Sequence, residues 1–189
     1  MRNELFESLI ALALEAGTCK ANIIDAKEIV VDRTFRDMCV SNACGVYGKC
    51  YMCPPDVGDI DILINEIKKY DYALVYQTVT ELEDSFDFEG MAEAKKSTYP
   101  IAQNLRQVFK DKHISTVLHL GAGGCGVCEV CAKRTEEPCR FPDRAISSLE
   151  AYGINVSRMA KSADMKYTNG QNTVTYFGAV LFTLDGEEK

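Results

Sequence analysis

The chain has 189 residues, 47% of them apolar, a formal net charge of -7 and a pI near 4.9. That length and apolar content suit one domain with a real core, and the acidic balance argues against a nucleic-acid partner or an anionic membrane surface. The opening MRNELFESLI holds no signal-peptide core, and no apolar run reaches the roughly 18–20 residues that span a bilayer. Nine cysteines in such a chain point to metal binding or catalysis in the cytoplasm rather than to an extracellular disulfide framework.

Residues 3–16 set Leu5, Leu9 and Leu12 beside Phe6, Ile10 and Ala13, a helical stripe stopped by Gly17. Cys19, alone beyond it, reads as a buried small apolar residue. Residues 28–31 read as a short strand. They lead into Cys39, Cys44, Cys50 and Cys53, the last followed by Pro54-Pro55. Four thiols spaced C-x4-C-x5-C-x2-C are too dense to be packing residues alone. Residues 59–69 are a predicted helix with Ile60, Leu63, Ile64 and Ile67 on one face and Lys68-Lys69 at the end where cations complement the dipole. Residues 72–79 are a predicted buried strand, and 81–89 an acidic surface loop. A helical pattern then runs from about residue 88 to 110, with Pro100 predicting a kink or a division into two helices.

Residues 115–120 are the next predicted strand. It delivers Gly121-Ala-Gly-Gly124 and then Cys125-x2-Cys128-x2-Cys131, with Cys139 after seven further residues. This spacing wraps a compact cage of thiolates around a polynuclear centre, because each cysteine of so tight a loop can reach a different corner of a [4Fe-4S] cluster. Zinc is a single tetrahedral ion, usually held by two separated C-x2-C pairs or by Cys/His mixtures. No second pair of that spacing follows, and neither His113 nor His119 has a ligand-spaced partner, so iron–sulfur leads and zinc is the alternative. Gly121-x-Gly123-x-x-Gly126 matches the dinucleotide fingerprint, but it opens into cysteines rather than a helix. Glycines there instead let the backbone approach the sulfides and aim amide N–H groups at a negative cluster.

Residues 143–152 are predicted helical up to Gly153, and 157–163 add a further turn or two. Asn169-Gly170 signals a hairpin or tight turn, and 173–184 form the strongest strand. Both cysteine groups thus follow a strand, loop, helix plan. If the strands at 28–31 and 115–120 run parallel, both loops emerge at one sheet edge, with helix N-termini near 59 and 143 turned towards the metal. The expected fold is a single α/β domain over 1–189. It has a mixed sheet of four or five strands flanked by helices, and two cysteine-rich loops, 39–55 and 121–142, at one edge.

Among the other residues, His119 is a candidate for tuning a cluster or relaying a proton, or a core histidine with a satisfied hydrogen bond. His113 reads as solvated, Arg36 and Lys49 as surface charges, and Tyr47 as a packing residue. Arg140 can offset cluster charge or bind an anionic substrate. No Ser/His/Asp arrangement and no phosphate loop stands out.

Two motif groups carry a family resemblance. Cys39...Cys44-Gly-x-Tyr-Gly-Lys...Cys53-Pro-Pro occurs with Cys-x2-Cys-x2-Cys...Pro138-Cys139-Arg140-x-Pro142...Ser148-x-Glu150-Ala-x-Gly153-Ile, and Asn169-Gly170-x-Asn172-Thr-Val-Thr-Tyr-Phe-Gly178 closes the series. Over nearly its whole length the chain resembles the predicted metal-binding proteins of the DUF2284 family. The resemblance implies metal binding without a settled reaction. It also implies that the dependable N-terminal cysteines are Cys39, Cys44 and Cys53, while the position of Cys50 need not be cysteine. Three arrangements follow: Cys50 completes an all-thiolate second cluster, or one iron there stays open, or Cys139 crosses over to the N-terminal site.

The functional expectation is one [4Fe-4S] cluster at Cys125, Cys128, Cys131 and Cys139, and a second at Cys39, Cys44 and Cys53 with or without Cys50. The protein would act in electron transfer or as a small reductase, with a redox partner protein or a small-molecule substrate. The alternatives are a zinc-binding structural or interaction module and a metal or cluster carrier.

Overall fold

Two ten-residue strands, β2 (Tyr72–Glu81) and β5 (Thr173–Phe182), form the centre of the protein. Both are rich in β-branched and aromatic residues and run apolar on both sides, as strands covered on both faces must. They pair antiparallel along their whole length, with Tyr72 opposite Phe182 and Glu81 opposite Thr173. β1 (Lys20–Asp25) joins β2 antiparallel, β3 (Val117–Gly121) joins β5 antiparallel, and the two-residue β4 (Ser147–Ser148) joins β3 parallel. The result is the expected mixed sheet, open and ordered β1-β2-β5-β3-β4. This is a computed structural model, which describes residues 2–112, 114 and 116–184. His113 and Ser115 lie outside the described residues.

The strand period of two splits the core into two layers. On one face, Leu74, Tyr76, Val180 and Phe182 meet Leu9 of α1 (Arg2–Glu15) and Leu105 and Phe109 of α4 (Phe88–Asp111). On the other, Ala73, Val75, Ala179 and Leu181 meet Leu63 and Ile67 of α3 (Ile60–Ile67), Met159 and Ala160 of α5 (Val156–Ser162), and the short 3-10 turn Glu150–Tyr152. No helix among the described residues is long and apolar enough to cross a membrane.

Several elements differ from the sequence expectation. Residues 28–31 are not a strand. Residues 30–32 pair outside the sheet instead, with Asn155 N–H donating to Val30 O and Asp32 N–H to Gly153 O, and Val31 forms only an isolated bridge to Ile154. The first strand is β1, whose edge position leaves it half-buried and its apolar pattern weak. The expected parallel pairing of 28–31 with 115–120 therefore does not exist. α2 (Arg33–Val40) is a further helix, started by Asp32, whose carboxylate accepts the N–H of Thr34.

Pro100 neither ends nor divides α4, which runs as one helix of 24 residues. The missing hydrogen bond costs about 3 kcal/mol. Burial of Ala94, Ile101, Leu105 and Phe109 on either side of the exposed proline offsets it, at about 1.5–3 kcal/mol for each large side chain. Residues 143–152 form no helix. They hold a 3-10 turn at Pro142–Arg144, strand β4 and the 3-10 turn at Glu150–Tyr152, because Leu149 N–H is taken by Gly121 O and the Ser147 hydroxyl by Met52 O. Gly170 makes a turn at φ +125°, but no strand precedes β5 to complete a hairpin.

His119, on β3, is the core histidine. It is 7% exposed, its Nε2 lies 2.8 Å from the Tyr76 hydroxyl, and its Nδ1 has no partner. The Tyr76 ring occupies the space over Gly178, where an added Cβ would come within 2.2 Å of it. Burial, and then the charge of Arg106, push the imidazole down from its ordinary 6.5 to about 3, so it is neutral.

Two outcomes follow. Gly178→Ala displaces Tyr76 and lowers stability by about 1–3 kcal/mol, measured by urea unfolding; an unchanged midpoint contradicts this packing. As pH falls below 6.5 the unfolded chain takes a proton on His119 that the folded chain refuses until about pH 3, so this residue lowers stability as pH falls through that window. The stability advantage of the wild type over His119→Gln therefore shrinks by about 1 kcal/mol between about pH 6 and pH 5. A pH-independent difference contradicts the buried neutral state.

Candidate metal centre

The two cysteine loops come from distant parts of the chain and interlock at the β3–β4 edge of the sheet. The first leaves α2 through Asn42, at φ +52°, whose side chain accepts the N–H of Tyr47. It then turns tightly, with Cys53 N–H donating to Cys50 O at 3.0 Å. The second loop leaves β3 at Gly121 and folds through a short 3-10 turn at Ala132–Thr135, closed by Glu136 in the left-handed region. Three contacts lock the pair. Ser147 Oγ donates to Met52 O at 2.7 Å, Tyr51 Oη donates to Glu137 O at 2.8 Å, and Lys133 pairs with Asp56 at 2.5 Å while lying over the Tyr51 ring.

At this junction Cys50, Cys125, Cys128, Cys131 and Cys139 line one pocket with about 320 Å³ of empty space, together with Tyr51, Met52 and Phe141. Cys139 thus stands with the other three cysteines of its own loop. Cys39 sits in the last turn of α2, Cys44 is exposed in the loop beyond it, and Cys53 is buried. Cys50 and Cys53, 3% and 7% exposed, share one tight turn, with Cys50 at the pocket and Cys53 beside Gly124. The neighbouring Cys53 thiol, helped by the backbone of Met52 and Cys125 and the thiol of Cys131, brings Cys50 down to about 6 against its burial. Cys53 moves the other way, pushed up by the Cys50 thiol, by burial and by the charges of Cys50, Cys44 and Cys39. Burial likewise pushes the Cys39 and Cys125 thiols up.

All nine cysteines are free thiols. Cys19 is exposed rather than buried. It lies just before edge strand β1, and its thiol donates to Gln77 O at 3.2 Å. Among the described residues, no group of three or more His, Cys, Asp or Glu side chains is arranged to hold a metal ion. Five thiols, soft donors, line the shared pocket.

The glycine loop serves this junction. A Cβ on Gly124 would stand 3.2 Å from Cys53 Sγ, and one on Gly126 would fall inside the Tyr99 ring, 1.8 Å from Cζ. The loop therefore passes as close to the thiols as only glycine permits. No helix follows it, so the dinucleotide fingerprint is not realised.

Arg36 is not a free surface charge. Its guanidinium donates to Gly58 O at 2.7 Å and Ala151 O at 3.2 Å, tying α2 to both loops' flanks. Arg140 pairs with Glu137 and donates to Val130 O, closing its own loop. Lys49 is exposed and Tyr47 half-buried, both as expected. The N-terminus of α3 is occupied locally, because the Asp59 carboxylate accepts the N–H of Asp61.

Glu150 is a further member that nothing in the sequence singles out as a site residue. Its charge contributes to holding the Cys39 thiol up. Burial pushes its own carboxyl up, opposed by its own N–H, the Ser148 hydroxyl and the charge of Lys95. It lies 111 positions from Cys39 in the chain, and only the packing of the Glu150–Tyr152 turn against α2 brings the two near.

Neither a curated protein nor a solved structure matches the chain. The family described as predicted metal-binding protein (DUF2284) matches residues 22–182, a span that contains both cysteine loops and every cysteine except Cys19. The chain therefore belongs to the DUF2284 family of predicted metal-binding proteins.

Proposed function

We propose that this is an iron–sulfur protein with two neighbouring [4Fe-4S] clusters, acting in electron transfer or as a small reductase. The observation that carries this is the meeting of five cysteines from two loops around a single pocket, with the Cys53 thiol beside the glycine loop. Cys125, Cys128, Cys131 and Cys139 complete one cluster by themselves. Cys50, in one tight turn with Cys53, is then left to join Cys39, Cys44 and Cys53 at the other.

Three features support iron–sulfur over zinc. The donors are all thiols, without a histidine among them. Five of them line one pocket, where a single tetrahedral ion takes four. Glycine at 124 lets the backbone run close to the Cys53 thiol, where a Cβ would stand 3.2 Å from Sγ, the close approach that a cluster's sulfides need. The clusters would supply one-electron chemistry. The chain's part is to bury the inner thiols, hold the two centres side by side, and leave Cys44 and its neighbours open to a redox partner protein or a small-molecule substrate. Free thiols in this number suit a reducing cytoplasm.

Purification without oxygen, followed by iron, acid-labile sulfide and zinc analysis, tests the proposal. Two [4Fe-4S] clusters require about eight irons and about eight sulfides per chain. Cys44→Ser and Cys128→Ser, one in each set, should each lose about half of both, while Cys19→Ser keeps all. Zinc at one or two per chain without sulfide would overturn the redox reading in favour of a structural module.

A further inference from the structure

The two-residue β4 covers β3 only at Leu120 and Gly121, so along Val117–His119 the edge of the sheet is open. A cavity of about 180 Å³ lies there, between the edge and α4. Met52, Val117, Leu118 and Ala145 line it, together with the buried Phe109 and His119 rings. It is larger than the roughly 150 Å³ of an apolar cavity that holds benzene. Met52 and Ala145 also line the thiol pocket, so the two spaces share a wall.

Because His119 is neutral, Arg106 is the one charged residue of this lining among the described residues. It is half-buried, and its Nη1 donates to Ala145 O at 3.3 Å, which holds the guanidinium at the cavity. No carboxylate among the described residues pairs with it. Arg106 and Val117 also line an outer cleft of about 650 Å³, so they mark the mouth between the two spaces. The exposed Lys110 and Arg144 add two further cations to that cleft, against the single carboxylate of Asp143. Neither is in an ion pair among the described residues, and Arg144 lies over the Phe141 ring at 5.6 Å. On a chain of net charge -7 this cleft is a local positive surface, and it draws anions.

We propose that cavity and cleft form one binding site for a small carboxylate that carries an apolar ring of about six carbons. The ring takes the cavity, whose volume and mainly apolar walls match it. The carboxylate stays at the mouth on the Arg106 guanidinium, whose planar fork has N–H groups beyond the one given to Ala145 O. One cation on the cavity wall suits one negative charge, and a neutral ligand would close the cavity over an arginine left without a counter-charge. Lys110 and Arg144 raise the local concentration of the anion at the entrance. The bound ring lies against Met52 and Ala145, the wall shared with the cysteines. The site uses no thiol as a ligand and does not depend on which metal the centre holds.

The test is calorimetric titration of the full-length protein, purified without oxygen, with benzoate and with cyclohexanecarboxylate. Benzamide, which keeps the shape of benzoate without its charge, and acetate, which keeps the charge without the ring, are the controls. Metal and sulfide are measured on the same samples, so a failure of the iron–sulfur reading is seen separately from a failure of binding. The expected result is one saturable site per chain for at least one of the two ring carboxylates, with both controls weaker by about tenfold or more. Arg106→Gln should weaken binding of the ring carboxylate about tenfold and leave that of benzamide unchanged. Lys110→Gln, at an exposed position of the cleft, should weaken it roughly twofold and reduce its salt dependence. Val117→Phe, which fills the cavity from the open edge, should abolish binding with metal content unchanged. No saturable binding of either ring carboxylate to the wild type, equal affinity for benzoate and benzamide, or full affinity in Arg106→Gln or in Val117→Phe would overturn the proposal.

Discussion

The docking of one cysteine loop on the other is the constraint on which the rest of this structure depends. Neither loop has regular structure of its own beyond short turns, and each would leave its thiols open to solvent if it stood alone. Their shared hydrogen bonds, Ser147 to Met52 O and Tyr51 to Glu137 O, with the Lys133–Asp56 pair, bring Cys50 and Cys53 against the loop of Cys125 to Cys139. The long antiparallel pair β2–β5 is the platform. Because β3 pairs with β5, and β4 with β3, the glycine loop and the Ser147–Leu149 segment are delivered to the same place.

The same arrangement accounts for what the sequence makes legible. The hydrophobic stripes of α1 and α3 and the apolar runs of β2 and β5 are local patterns, and each forms as expected. β1 is different: its Lys20-Ala-Asn-Ile-Ile-Asp is masked by an edge position, and the more apolar residues 29–31 are drawn off to pair with residues 153–155. Residues 143–152 look helical by period, yet their backbone and serine groups are claimed by Gly121 and Met52, partners that periodicity cannot see. The two loops meet at one edge although the parallel strand pair from which that was inferred is absent.

Site membership divides along the same line. Cysteine spacing groups the candidate ligands but not which of them share a pocket, and the place of Cys50 beside the second loop emerges only from the fold. Tyr99 carries no local signal, and Glu150 enters the sequence reading only as part of the family motif. They matter because the packing of α2 and α4 brings them to the cysteine loops.

The central claim is that two iron–sulfur clusters sit side by side across the Cys50–Cys53 contact. Electron paramagnetic resonance of anaerobically purified, dithionite-reduced protein tests it most directly. The account predicts a reduced-cluster signal broadened and split by magnetic interaction between two nearby centres, simplifying to that of one isolated cluster when Cys128 is replaced by serine. A silent spectrum from a zinc-loaded protein, or a single unperturbed cluster signal in the wild type, would contradict it.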